Sequence, residues 1–128
     1  MPKPLYTAKG FTLIELLVAM AIVALLLSIA TPRYFHSVTK AEENVLKENL
    51  ALVRDTLDKY HADTGKYPET LDELLSKKYL RKMPYDPVAQ STTSWILIAP
   101  APPEKGGIFD IRSGALGHAS DGSAYGDW

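Results

Sequence analysis

The chain has no cysteine among its 128 residues. A disulfide framework, a thiolate nucleophile and a cysteine-based zinc site are therefore excluded. It also lacks an excess of either charge: 14 Lys+Arg stand against 15 Asp+Glu, for a formal net charge of −1. No basic bias argues for a nucleic-acid partner. Histidine is scarce. His36, His61 and His118 lie far apart and show no metal-ligand spacing. There is no Gly-x-Ser-x-Gly elbow and no glycine-rich phosphate loop. The adjacent acids Glu42–Glu43 and Asp72–Glu73 fall on predicted helices, where neighbours in sequence point in different directions and share no site. An enzyme is therefore not expected.

What the chain does have is one long apolar run. Residues 11–30 read FTLIELLVAMAIVALLLSIA, with Glu15 as the only charge. Twenty helical residues rise about 30 Å, one hydrocarbon thickness. An ionised Glu at that depth costs on the order of 3 kcal/mol unless it is partnered or snorkels to the headgroups. The ten residues before the run, MPKPLYTAKG, are short and carry Lys3 and Lys9. No small-residue cleavage site follows Ala30; the discontinuity is at Gly10–Phe11. Cleavage there would leave Phe11 with a free amine about 6 Å along the axis from Glu15. The carboxylate then has a partner, in its own subunit or in a neighbour. Lys3 and Lys9 place the N-terminus in the cytoplasm by the positive-inside rule, although Arg33 and Lys40 lie beyond the span.

Lys9-Gly10-Phe11-Thr12-Leu13-Ile14-Glu15 followed by an apolar helix resembles the leader of type IV pilins and type II secretion pseudopilins. The resemblance is strong over residues 1–35 and weaker beyond. It implies cleavage after Gly10 by a prepilin peptidase, N-methylation of Phe11, and assembly into a helical homopolymer with Glu15 meeting the Phe11 amine of a neighbour. Minor pseudopilins and an inner-membrane assembly platform are the further partners it implies.

Past Pro32 the helix continues. Leu46, Leu50, Val53, Leu57 and Tyr60 recur at steps of four and three, which predicts one apolar stripe. Glu43–Lys47 and Asp55–Lys59 are i, i+4 pairs of favourable order, and Gly65 is placed to cap the C-terminus. Pro32 is expected to kink or locally melt the helix; the resemblance implies that loss of helix upstream of this proline accompanies assembly. Thr70-Leu-Asp-Glu73 fits a capping box for a short helix through Leu71, Leu74 and Leu75. Ser94–Ala99 and Gly107–Arg112 read as two strands, and APPEKGG is long enough for the hairpin loop between them. The basic stretch KKYLRK, residues 77–82, is read as a solvated rim.

The tail, SGALGHASDGSAYGDW, is Gly- and Ser-rich without periodicity, yet it carries Tyr125 and Trp128, which suggests that it docks. Asp121, Ser123, the Tyr125 carbonyl and Asp127 have the spacing of EF-hand positions 1, 3, 5 and 7, and the closing Glu at position 12 is missing. A simple Gly/Asp turn has the same spacing. Major pseudopilins resemble this chain here, through Gly65-x-Tyr67-Pro68 and Tyr85-Asp86-Pro87 and the absent cysteine pair. They imply a calcium ion in the C-terminal loop, for which Asp121 and Asp127 are the candidate ligands; no cofactor is required otherwise.

The expected fold is α+β and pilin-like: a long N-terminal helix packed on a small antiparallel sheet. The expected regions are a leader (1–10), a membrane or filament-core helix (11–31), an amphipathic upper helix (32–63) and a C-terminal part (64–128). The expected role is a structural subunit of a periplasmic pseudopilus in type II secretion, held in the inner membrane by a single pass. A type IV pilus subunit and a membrane-tethered calcium- or ligand-binding domain are the alternatives.

Overall fold

The computed structural model describes residues 2–4, 9–101 and 106–128. It comprises two compact units, Met1–Ser37 and Val38–Trp128. Helix α1, Leu13–Thr64, contributes to both.

In the first unit every described residue is exposed. The apolar window of α1 has a mean hydropathy of 2.8 with none of it buried. By length and composition it is able to cross a membrane, and lipid or sister helices are what so apolar a surface requires. Pro32 lies inside α1. Its missing N–H leaves the Ser28 carbonyl without a helical donor. Just upstream, Thr31 Oγ1 donates to Leu27 O at 2.6 Å and Ser28 Oγ to Leu25 O at 2.7 Å.

In the second unit α1 supplies one wall of the core. Leu46, Leu50, Val53, Leu57 and Tyr60 are all buried, as the stripe predicts. The helix stops at Gly65, whose φ of +77° is readily tolerated only by glycine and whose N–H bonds to His61 O at 2.8 Å. Helix α2, Leu71–Ser76, starts at Thr70, whose side chain accepts from Glu73 N. The predicted capping box is only half made. Glu73 Oε2 instead accepts the Tyr60 hydroxyl at 2.9 Å and so ties α2 to α1. Lys77, in the basic stretch, donates to the same hydroxyl at 2.8 Å, and Leu80 of that stretch is buried.

Strands β1, Ile96–Ile98, and β2, Asp110–Arg112, pair antiparallel with Leu97 opposite Ile111. Both are shorter than the sequence predicts. Ahead of β2, Ile108 N bonds to Pro68 O and Tyr67 bridges Gly106, so this stretch is held by the 67–68 turn before it meets β1. Trp95, ahead of β1, is buried and donates to Pro84 O at 3.0 Å. Ile108 and Ile111 face the core and Phe109 faces out, a spacing of three in place of alternation. Residues 102–105 of the expected hairpin loop lie outside the described residues. Asp55–Lys59 forms at 3.0 Å. Glu43–Lys47 does not: Glu43 is turned inward and buried.

Candidate functional site: the assembly helix and the docked tail

Two sites can be built from the residues upward, one in each unit. The first is the start of α1. Phe11 is 88% exposed, and a Cβ at Gly10 would meet nothing within 4 Å, so this junction stands open among the described residues. Thr12 caps the helix. Its Oγ1 accepts from Glu15 N at 3.2 Å, and Glu15 Oε2 accepts from Thr12 N at 3.2 Å. This is a reciprocal capping box, and it satisfies two donors that lipid could not. It points the only acid of the span back toward Phe11. The other Glu15 oxygen takes no hydrogen bond among the described residues. Thr12 is a functional residue that the sequence reading passed over. Its signal, Thr-x-x-Glu ahead of an apolar run, is the same as that at Thr70, where only the threonine half of the box forms.

The second site is where the tail meets α1. Glu43 lies three residues before Leu46, on the edge of the buried stripe. Its Oε1 accepts from Ser120 N at 2.8 Å and from the Tyr125 hydroxyl at 2.9 Å, and its Oε2 from Ser120 Oγ at 2.7 Å. Burial raises the pKa of this carboxyl, but the bonds from Ser120 and Tyr125 outweigh it and hold the group below its ordinary value. Tyr125 is pushed up to about 12, first by burial and then by the bond to Glu43. Three turns further on, Arg54 donates from Nε to Asp110 Oδ1 at 2.8 Å. Its Nη2 donates to Ile111 O at 3.0 Å and to the Trp128 main-chain oxygen at 2.6 Å. Lys47 Nζ stands 4.5 Å above the Trp128 ring. The tail therefore docks, as its two aromatic residues suggest, and Tyr125 and Trp128 meet edge to face at 5.1 Å.

The candidate metal ligands are placed less favourably. Asp121 Oδ1 accepts from Ser123 N at 2.9 Å and Ser123 Oγ at 2.6 Å; these bonds, with Lys47 nearby, keep its carboxyl below the ordinary value. Asp127 is exposed on a single 3-10 turn, Tyr125–Asp127. Calcium takes six to eight oxygens, several of them carboxylate. Among the described residues no group of three or more His, Cys, Asp or Glu is arranged to hold a metal. The donor set does not fit a calcium cage. His61 stacks on Tyr67 with ring centroids 4.3 Å apart.

Residues 6–31 match the prokaryotic N-terminal methylation motif. A type II secretion system core protein G of Pseudomonas aeruginosa is 30% identical over 62% of this chain and 67% of its own length. Its counterpart in Pectobacterium carotovorum is 27% identical over 96% of this chain and 86% of its own length, and that of Aeromonas hydrophila 27% over 94% and 92%. No solved structure matches the chain.

Proposed function

The chain belongs to the type II secretion system core protein G family and is a subunit of a pseudopilus; from that premise we propose that it polymerises through α1, with Glu15 of one copy paired to the Phe11 amine of the next. The observation that carries this reading is the lone carboxylate in a fully exposed apolar helix, held toward Phe11 by Thr12 with one oxygen still to be partnered.

Cleavage after Gly10 by a prepilin peptidase places an ammonium at the positive end of the helix dipole. N-methylation of Phe11 leaves that charge in place. A cation there is unfavourable in lipid unless an acid meets it, and Glu15 is the one acid in reach. Two costly charges become one pair, and the pair fixes register between copies. The apolar surface of residues 13–37 then lies against sister helices in the filament and against lipid before assembly. Pro32 marks where the helix is most easily unwound during that exchange.

In this reading the subunit is held in the inner membrane by a single pass, with its N-terminus cytoplasmic before cleavage. Residues 38–128 lie in the periplasm. It assembles with copies of itself, with minor pseudopilins at the tip, and on an inner-membrane platform. Its role is structural, and no cofactor enters the polymerisation.

Glu15→Ala tests the proposal. The variant is expected to insert and be cleaved normally and to yield no sheared fibres by electron microscopy, with secretion lost. Wild-type fibre yield from this variant overturns intersubunit pairing through Glu15. Intact Met1 on mass spectrometry of protein from cells overturns cleavage.

A further inference from the structure

Glu43, Lys47 and Arg54 fall at i, i+4 and i+11 on α1, along the edge of the stripe that carries Leu46, Leu50 and Val53. All three reach the same stretch of chain: Ser120 and Tyr125 for Glu43, the Trp128 ring for Lys47, the Trp128 main-chain oxygen for Arg54. We propose that this chain closes its C-terminal segment, residues 113–128, with these three side chains of α1 and holds the docked form without a divalent cation.

The support is in how the oxygens are used. A bound cation needs lone pairs directed at a common point. Here both oxygens of the buried Glu43 receive N–H or O–H donors from Ser120 and Tyr125, and the other buried carboxylate that touches the segment, Asp86, accepts from Ser113 Oγ through one oxygen and from Val88 N and Ala89 N through the other. Asp121 Oδ1 is committed to two Ser123 donors. Ser123 Oγ in turn accepts from Trp128 Nε1 at 2.7 Å, which links the turn at Asp121 to the docked ring. The positive charge at the tail is already supplied. Lys47 sits over the Trp128 ring and Arg54 forks onto Ile111 and Trp128, so a dication placed here would face two cations. Charge-assisted bonds of this kind are stronger than neutral ones, and a network with every member satisfied rigidifies what it joins. The His118–Ala124 bridge and the Ala119 N to Ser123 O bond, 2.7 Å, fold the segment on itself and present Ser120 to Glu43. The inference stands apart from polymerisation through Glu15, since none of these residues belongs to the apolar span.

The test uses the full-length chain in detergent micelles. Thermal midpoints in excess EDTA and in millimolar calcium chloride are expected to agree within about 1 °C, whereas a cage saturated with calcium would raise the midpoint by roughly 10 °C or more. Hydrogen exchange at the amides of residues 115–125 is the second readout. Glu43→Gln is expected to speed exchange there roughly tenfold or more, in EDTA and calcium alike. Asp121→Asn keeps the acceptor for Ser123 and weakens any metal site; it is expected to stay within about twofold of wild type. If Glu43→Gln fails to fold, Tyr125→Phe removes a single bond and is expected to give about threefold faster exchange. A calcium-dependent rise in midpoint overturns the proposal, as does release of the tail by EDTA or Asp121→Asn with Glu43→Gln unaffected.

Discussion

Arg54 Nε lies 2.8 Å from Asp110 Oδ1, joining the C-terminal part of α1 to the first residue of β2 across 56 positions of sequence. The same guanidinium also takes the Ile111 and Trp128 main-chain oxygens. One side chain thus fixes helix, sheet and tail together, and it does so with a planar fork that lysine cannot reproduce. The Arg54 side chain is 38% exposed, so the ion pair by itself contributes little. The two carbonyl bonds matter more, because removing their donor leaves partly buried acceptors unmet.

Arg54→Ala should therefore destabilise the Val38–Trp128 unit by about 1–3 kcal/mol, and Arg54→Lys by somewhat less. For a unit of this size each kcal/mol moves the midpoint by about 4–8 °C. Thermal unfolding followed by circular dichroism checks both. Equal midpoints for the alanine variant and wild type would show that the fork is dispensable.

Stability should fall at both ends of the pH scale, for different groups. Glu43 is held below its ordinary value in the folded state. Its contribution is present above the unfolded pKa, near 4.5, and is lost as pH falls through the lower folded value. Tyr125 is raised to about 12 from 10.0. Its contribution is full below pH 10 and is lost between 10 and about 12, where the unfolded chain ionises and the folded one does not. Urea unfolding at stepped pH measures this, and Tyr125→Phe should flatten the alkaline decline while leaving much of the acid one.

Much of this architecture was legible in advance, and the failures share a cause. The stripe Leu46, Leu50, Val53, Leu57 and Tyr60 follows from helical period, and all five are buried. Gly65 and Thr70 follow from cap chemistry, which is local. The i, i+4 rule pairs Glu43 with Lys47 because it is local. Glu43 is taken instead by Ser120 and Tyr125, 77 and 82 residues away, which no local rule ranks. Strand β2 is shorter than its pattern predicts because residues 106–108 answer to the 67–68 turn, again a distant partner. At the N-terminus the cost of a lone charge in lipid points Glu15 toward the Phe11 amine, while its bond to Thr12 N follows from cap chemistry, the same local signal as at Thr70.

Gly114 offers a packing test that needs no charge. A Cβ there would collide with Ser94 O, a backbone atom that has no side-chain rotamer to move aside. Gly114→Ala is expected to cost about 2 kcal/mol or more and to disturb the approach of the tail to the segment before β1. Gly126 is the control, since its nearest neighbour would be Ser113 O at 3.8 Å, an ordinary contact. Gly126→Ala should shift the midpoint by no more than about 2 °C.

The capping box at the start of α1 separates two roles that a single deletion of Glu15 would merge. Glu15→Gln keeps a carbonyl oxygen able to accept from Thr12 N and removes the charge. Thr12→Ala keeps the charge and removes the acceptor for Glu15 N, a loss of about 1 kcal/mol for an N-cap and more where lipid replaces water. If Glu15 serves the Phe11 amine of a neighbour, Glu15→Gln should abolish sheared fibres while Thr12→Ala lowers their yield in part, with Thr12→Ser restoring it. If the carboxylate serves only as a cap, the order reverses: Glu15→Gln assembles and Thr12→Ala fails. Immunoblots of sheared and cell-bound fractions from the four strains, with membrane insertion scored in parallel, distinguish the two orders directly.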